Sequence, residues 1–168
     1  MVAIPLTISA GTGPEGPRFR HHSVEEGLSQ SNVNCILQDH EGFIWLGTQD
    51  GLNRYDGYTF KVFRHDSQDS VSISDNYINS IFEDSRGHLF AAVWDGGVCE
   101  LDPASGSWTS LRHNTSDPAS LVDDRVYCLT LDRQGSLWIG TWAGLDRCDG
   151  AERRRDRSSN KRSDNIQG

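Results

Sequence analysis

A chain of 168 residues with a formal net charge of −8 and 35% hydrophobic residues holds enough apolar material for one ordinary core. The acidity is uneven: positions 151–168 carry a net +3 and the remainder −11, which argues against general adhesion to nucleic-acid phosphates. No apolar run approaches the roughly 20 residues of a membrane-crossing helix. The four cysteines show neither C-x-x-C spacing nor accompanying histidine pairs, so no metal site and no cofactor are expected.

In chain order, residues 1–17 read as a disordered leader or signal remnant, mildly apolar from Met1 to Ala10 but without a basic n-region and interrupted by Pro5. Phe19-Arg20-His21 recurs as Phe63-Arg64-His65 and as Leu111-Arg112-His113. Residues 18–22 are therefore predicted to be a leading outer strand. Period-2 patterning and turn residues then predict strands at Val33 to Gln38, Phe43 to Thr48, Leu52 to Asp56 and Thr59 to Arg64. The same series returns at Ile78 to Glu83, His88 to Val93, Val98 to Asp102 and Trp108 to Arg112, and again at Val126 to Leu131, Ser136 to Thr141 and Leu145 to Asp149. After Asp149 the pattern stops. Residues 150–168, with Arg153-Arg154-Arg155, read as a disordered basic tail.

Each series contains D-x-x-G, a short apolar run and a closing G-L-x-R-x-D or its equivalent. The glycines Gly42, Gly87 and Gly135 set the period at 45 and then 48 residues. Asp first and Gly fourth suits a type I turn, in which the carboxylate caps the backbone. Asp50-Gly51 and Asp56-Gly57 suit tight turns needing positive φ. Several short strands at a period near 45 mark β-propeller blades. The expected fold is all-β, a partial β-propeller of two complete four-stranded antiparallel blades plus an incomplete third. The blades span about 28–66, 73–114 and 121–149, within repeats covering 18–149. Trp45, Phe90 and Trp138 share one repeat position with apolar flanks on both sides, which points to packing between blades. Cys35, Ser80 and Cys128 share another, read as a small side chain on a crowded inner strand.

The pattern (V/I)-x-x-(I/L)-x-x-D-x-x-G-x-(I/L/F)-W-(I/L)-G-T-x-x-G-L-x-R-x-D resembles the two-component regulator propeller repeat. Val33–Asp56 and Val126–Asp149 match nearly throughout, whereas the middle copy has Phe90-Ala91-Ala92-Val93 and an added residue at Gly96-Gly97. The resemblance covers about Phe19 to Asp149. It implies the ligand-sensing part of a two-component signal-transduction sensor of the hybrid histidine kinase type, and a periplasmic location. It further implies a small carbohydrate-like ligand. No kinase, receiver or nucleotide-binding segment is recognisable in the sequence.

In a propeller, the loops between second and third strands share one face with the connections into the next blade. Here that face would carry Gln49, Asp50, Trp94, Asp95 and Trp142, with Asp75, Asn76, Asp123, Asp124 and Arg125 from the connections. Aromatic rings beside carboxylates suit a sugar, which offers an apolar face and hydroxyl donors together. All of these except Arg125 form the ligand-binding hypothesis, against packing of both indoles on neighbouring loops. No catalytic residue is expected, because nucleophile elbow, metal-binding histidine pair and phosphate loop are all missing from the sequence. The partners expected are the remaining blades of a larger ring or other copies of this chain, with no nucleic acid and no membrane span. Two alternatives stand beside the sensor: a propeller scaffold that oligomerises to bind protein, and a truncated or frame-shifted product without independent activity.

Overall fold

The computed structural model describes residues 16–102 and 105–149. After a 3-10 turn at Val24–Glu26, the first blade comprises β1 (Val33–Gln38), β2 (Ile44–Thr48), β3 (Gly51–Tyr55) and β4 (Phe60–Phe63). The second comprises β5 (Ile78–Glu83), β6 (Leu89–Val93), β7 (Gly97–Leu101) and β8 (Trp108–Leu111); the third has β9 (Val126–Leu131), β10 (Leu137–Thr141) and β11 (Gly144–Cys148). All pairings are antiparallel between chain neighbours, giving two four-stranded sheets and one three-stranded sheet. β1, β5 and β9 lie beside one another and form the inner edge of an open arc. The partial propeller expected from the sequence is thus present. The expected leader and tail lie outside the described residues, save for Gly16 and Pro17.

One element differs. Residues 18–22, expected as a leading outer strand, belong to no strand. A strand needs a ladder partner, and the edge of β11, unpaired among the described residues, is at the far end of the arc. The chain instead lays His22 against Tyr55 and Phe60, with ring centroids 5.0 and 5.9 Å apart. It then turns through a capping box in which Ser23 and Glu26 bond reciprocally, a signature the sequence displays as Ser23-Val24-Glu25-Glu26.

The turn aspartates account for both the repeat and the strand limits. Asp39 accepts from the Phe43 amide at 2.8 Å and, through its other oxygen, from the Trp45 indole N–H at 2.7 Å. Asp132 does the same for Ser136 and Trp138, at 2.9 Å each. The second blade has Phe90 in place of tryptophan, and there Asp84 takes the His88 amide at 2.9 Å and faces the His88 ring at 3.2 Å. An indole N–H withdrawn from water needs an acceptor, and the turn aspartate supplies it where the repeat carries tryptophan. The amides of Phe43, His88 and Ser136 serve the turn, which is why the second strands begin one residue later than patterning predicts.

The second blade is covered on both faces. Leu89, Ala91, Val93 and Cys99 join Trp45, Leu52 and Ile78 in one core between the first and second blades. Phe90, Ala92 and Val98 face the other way and join Val126, Leu129, Leu137 and Ile139. Each fully buried aliphatic side chain of this kind contributes about 1.5–3 kcal/mol. Trp45 also stacks on Phe63 at 5.6 Å, and Phe63 meets Trp108 edge-on at 6.0 Å. The shared aromatic position therefore packs between blades where a following blade exists. Trp138 is instead covered by the Arg147 guanidinium at 5.4 Å, directly across the β10–β11 ladder.

Candidate functional site

The inter-blade connections and the tips of the β2–β3, β6–β7 and β10–β11 hairpins meet at one end of the arc. The tips are built alike. Thr48 pairs with Gly51 across a two-residue turn in which its hydroxyl donates to the Gly51 carbonyl at 2.9 Å and accepts the Asp50 amide at 3.0 Å. Thr141 and Gly144 repeat the pairing and the hydroxyl-to-carbonyl bond, but there the hydroxyl accepts the Gly144 amide, at 3.1 Å. The second blade has Val93 in place of threonine and an extra residue, so Asp95 adopts a left-handed φ of 59° to close the turn.

The tips of the first two blades are each tied to the connection entering the next blade. The Gly51 amide donates to the Asn76 carbonyl at 2.7 Å, and the Gly97 amide to the Asp124 carbonyl at 2.8 Å. The same two residues hold the end of the fourth strand through their side chains. Asn76 Oδ1 accepts the His65 amide at 2.8 Å and Asp124 Oδ1 the His113 amide at 2.5 Å. The rings of His65 and His113 in turn donate from Nδ1 to the carbonyls of Ile73 and Leu121, at 2.9 and 2.6 Å. Arg64 pairs with Asp50 at 3.0 Å; Arg112 pairs with Asp124 at 3.1 Å and reaches the Asp95 carbonyl at 2.6 Å. Asn76 and Asp124 are therefore occupied in joining blade to blade, and Asp50 is paired within its own blade.

Among the remaining residues expected on this face, Asp75 accepts the Tyr77 amide within its own turn at 3.1 Å. Asp123 holds Arg125 through both carboxylate oxygens, and the Arg125 contacts push its carboxyl down to about 2. The Asp95 carboxylate and the Gln49 side chain are exposed, and the Gln49 amide donates to the Tyr77 hydroxyl at 3.2 Å.

The two indoles do come together, in company the sequence did not reveal. Trp94 meets Trp142 edge-on with centroids 6.3 Å apart, and Tyr127 edge-on at 5.1 Å; Tyr127 stacks on Trp142 at 6.2 Å; Tyr77 adjoins Trp94 at 6.2 Å. Arg125 lies over the Trp142 ring at 5.4 Å. Trp142 keeps 62% of its surface exposed and Tyr127 is also exposed. Tyr127 carries a signal that patterning overlooked. It occupies the repeat position of Asn34 and Asn79, whose amides reach the first-strand carbonyls of the next blade, Ile78 at 2.9 Å and Val126 at 2.8 Å. A tyrosine there has given up that bond and presents a ring instead.

A small cavity of about 160 Å³ lies between the first two blades at the opposite end, beside His40, Arg54, Lys61 and Glu83. It includes none of the residues expected to bind ligand. Among the described residues no group of three or more His, Cys, Asp or Glu is placed to hold a metal ion. No described helix is long and apolar enough to cross a membrane.

Comparison with known proteins gives these shapes a context. The family described as two component regulator propeller matches residues 27–50 and 120–143. A stretch of 56 residues is 52% identical to histidine kinase P4 of Formosa agariphila, covering 33% of this chain and 4% of that protein. The extracellular domain of the hybrid two component system BT3049 from B. thetaiotaomicron superposes with a TM-score of 0.74 at 30% identity, over 79% of this chain and 19% of that one. The corresponding domain of BT4673 from the same organism gives 0.60 at 24% identity, over 75% and 18%, and speaks to the fold alone. The chain thus spans a small fraction of the proteins it matches.

Proposed function

We propose that this chain, whose repeats are those of the two-component regulator propeller, is a ligand-sensing and non-catalytic segment of a hybrid histidine kinase type of sensor. It works outside the cytoplasm, in the periplasm, where its ligand is met. Similarity to an extracellular domain of a hybrid two component system supports that setting. Kinase activity would reside outside the segment.

The observation that carries the sensing role is the aromatic surface formed by half-buried Trp94 with exposed Tyr127 and Trp142. Large rings from two hairpin tips and from β9 present apolar faces, while Gln49 and Asp95 offer an amide and a carboxylate nearby. That combination fits a small carbohydrate-like ligand, whose C–H face rests on a ring while hydroxyls bond to polar neighbours. The test is a titration of tryptophan fluorescence with a panel of neutral and acidic oligosaccharides. Saturable quenching that Trp142→Ala abolishes supports the reading. Binding unchanged in Trp142→Ala and Trp94→Ala, or no saturable change with any member of the panel, counts against it.

A further inference from the structure

One position of the repeat has different environments along the arc. Leu52 and Val98 face the following blade and are 0% exposed, whereas Leu145, at the same position of the third blade, is 66% exposed. The backward face of the first blade mirrors this. Ile81 and Leu129 pack against the preceding blade, and their counterpart Ile36 is 67% exposed. The chain therefore ends its described arc in two unpartnered faces that are complementary by construction. One has the relief of a blade that precedes, the other of a blade that succeeds it.

A second feature lies on the same side of the arc. A groove of about 570 Å³ runs beside β11 and is lined by Leu111, Ala119 and Cys148. These are the repeat counterparts of Phe63, Val71 and Leu101. In the second blade those three surround Trp108, which meets Phe63 edge-on, donates its amide to the Val71 carbonyl and stands opposite Leu101. The groove is therefore the place of an outermost strand on β11, whose outer edge is unpaired among the described residues. Phe19, 84% exposed and outside any strand, has the sequence context of Phe63, with Arg20-His21 after it as Arg64-His65 come after Phe63.

We infer that a second copy of this chain packs head-to-tail on the third blade. Its first blade covers Leu145, and its residues 16–19, the counterparts of Phe60–Phe63, run along β11 with Phe19 over Trp138, as Phe63 lies over Trp45. The contact is heterologous, joining two different faces. Both faces present what the buried blade junctions present, and strand addition supplies main-chain bonds to an edge that is unpaired among the described residues. The inference stands on blade packing and is independent of any sugar at the aromatic surface.

Sedimentation velocity of the full chain across a concentration series tests it. The wild-type protein is expected to associate. Leu145→Asp and Ile36→Asp are each expected to weaken association by at least roughly tenfold, and Phe19→Asp to weaken it as well. All three side chains are exposed, and near-UV circular dichroism of each variant should match wild type. Mixing Leu145→Asp with Ile36→Asp leaves one intact face on each protein and is expected to yield a heterodimer that grows no further. A wild-type monomer at every concentration overturns the inference. So does Ile36→Asp that still self-associates as strongly as wild type, which would mean third blade against third blade. A mixture that stays monomeric also overturns it.

Discussion

Cys128 faces Gly140 across the first two strands of the third blade so closely that a Cβ on the glycine would lie 2.7 Å from the sulfur. The first blade repeats the pair as Cys35 and Gly47, with a separation of 2.5 Å. The second blade has Ser80 opposite Ala92: the smaller partner on one strand accompanies the larger on the other. Gly140→Ala is expected to cost about 1–3 kcal/mol by overpacking. Adding Cys128→Ser should recover at least about 1 kcal/mol of it, measured by urea denaturation as a double-mutant cycle. Cys35→Ser should not rescue Gly47→Ala in the same way, because Ile78 Cγ2 also lies 2.8 Å from the added methyl.

Asp39 serves a turn amide and the buried Trp45 indole together. Asp39→Ala should therefore lose about 1–3 kcal/mol in urea unfolding, since the indole N–H is left without an acceptor. In a Trp45→Phe background, as in the second blade, the same substitution should cost less. Equal costs in both backgrounds would show that the carboxylate works only on the backbone.

His40 and Glu83 clamp the first blade to the second, at 2.5 Å between ring and carboxylate and 2.9 Å from the His40 amide. The Glu83 hydrogen bond raises the imidazole above its ordinary value. A raised value in the folded state means that the stabilisation is fully present below the unfolded value of about 6.5 and is lost as pH rises through the folded value. Stability should therefore decline modestly on going from acidic to alkaline buffer, and His40→Gln should flatten that part of the profile. An unchanged profile in His40→Gln would remove the histidine from the account.

Burial pushes the Cys35 thiol up to about 11, while Cys128 is exposed and Cys99 buried. Thiolate is the reactive form. With a maleimide at mild alkaline pH, Cys128 should be modified first, and Cys35 and Cys99 only after denaturation. Mass spectrometry of the labelled peptides reads the order directly.

The local grammar of this protein was legible in its sequence. D-x-x-G, G-T and the alternation of apolar residues each specify a turn or a strand through contacts within a few positions, as between Asp39 and Trp45 or Thr48 and Gly51. Repetition at a blade period then implied the arc of blades. Identical repeats carry no information about a residue's place along that arc. Leu52 and Leu145 are the same residue in the same motif, and only the blade beyond them decides that one is buried and the other exposed. Likewise, Asn76 and Asp124 read as loop residues free to bind a ligand, yet tertiary packing brings them against Gly51 and Gly97 from the preceding hairpins and assigns them to the junctions. The aromatic surface needed Tyr127 on β9 to meet Trp94 from the blade before it, a juxtaposition created by side-by-side packing of sheets and encoded in no single repeat.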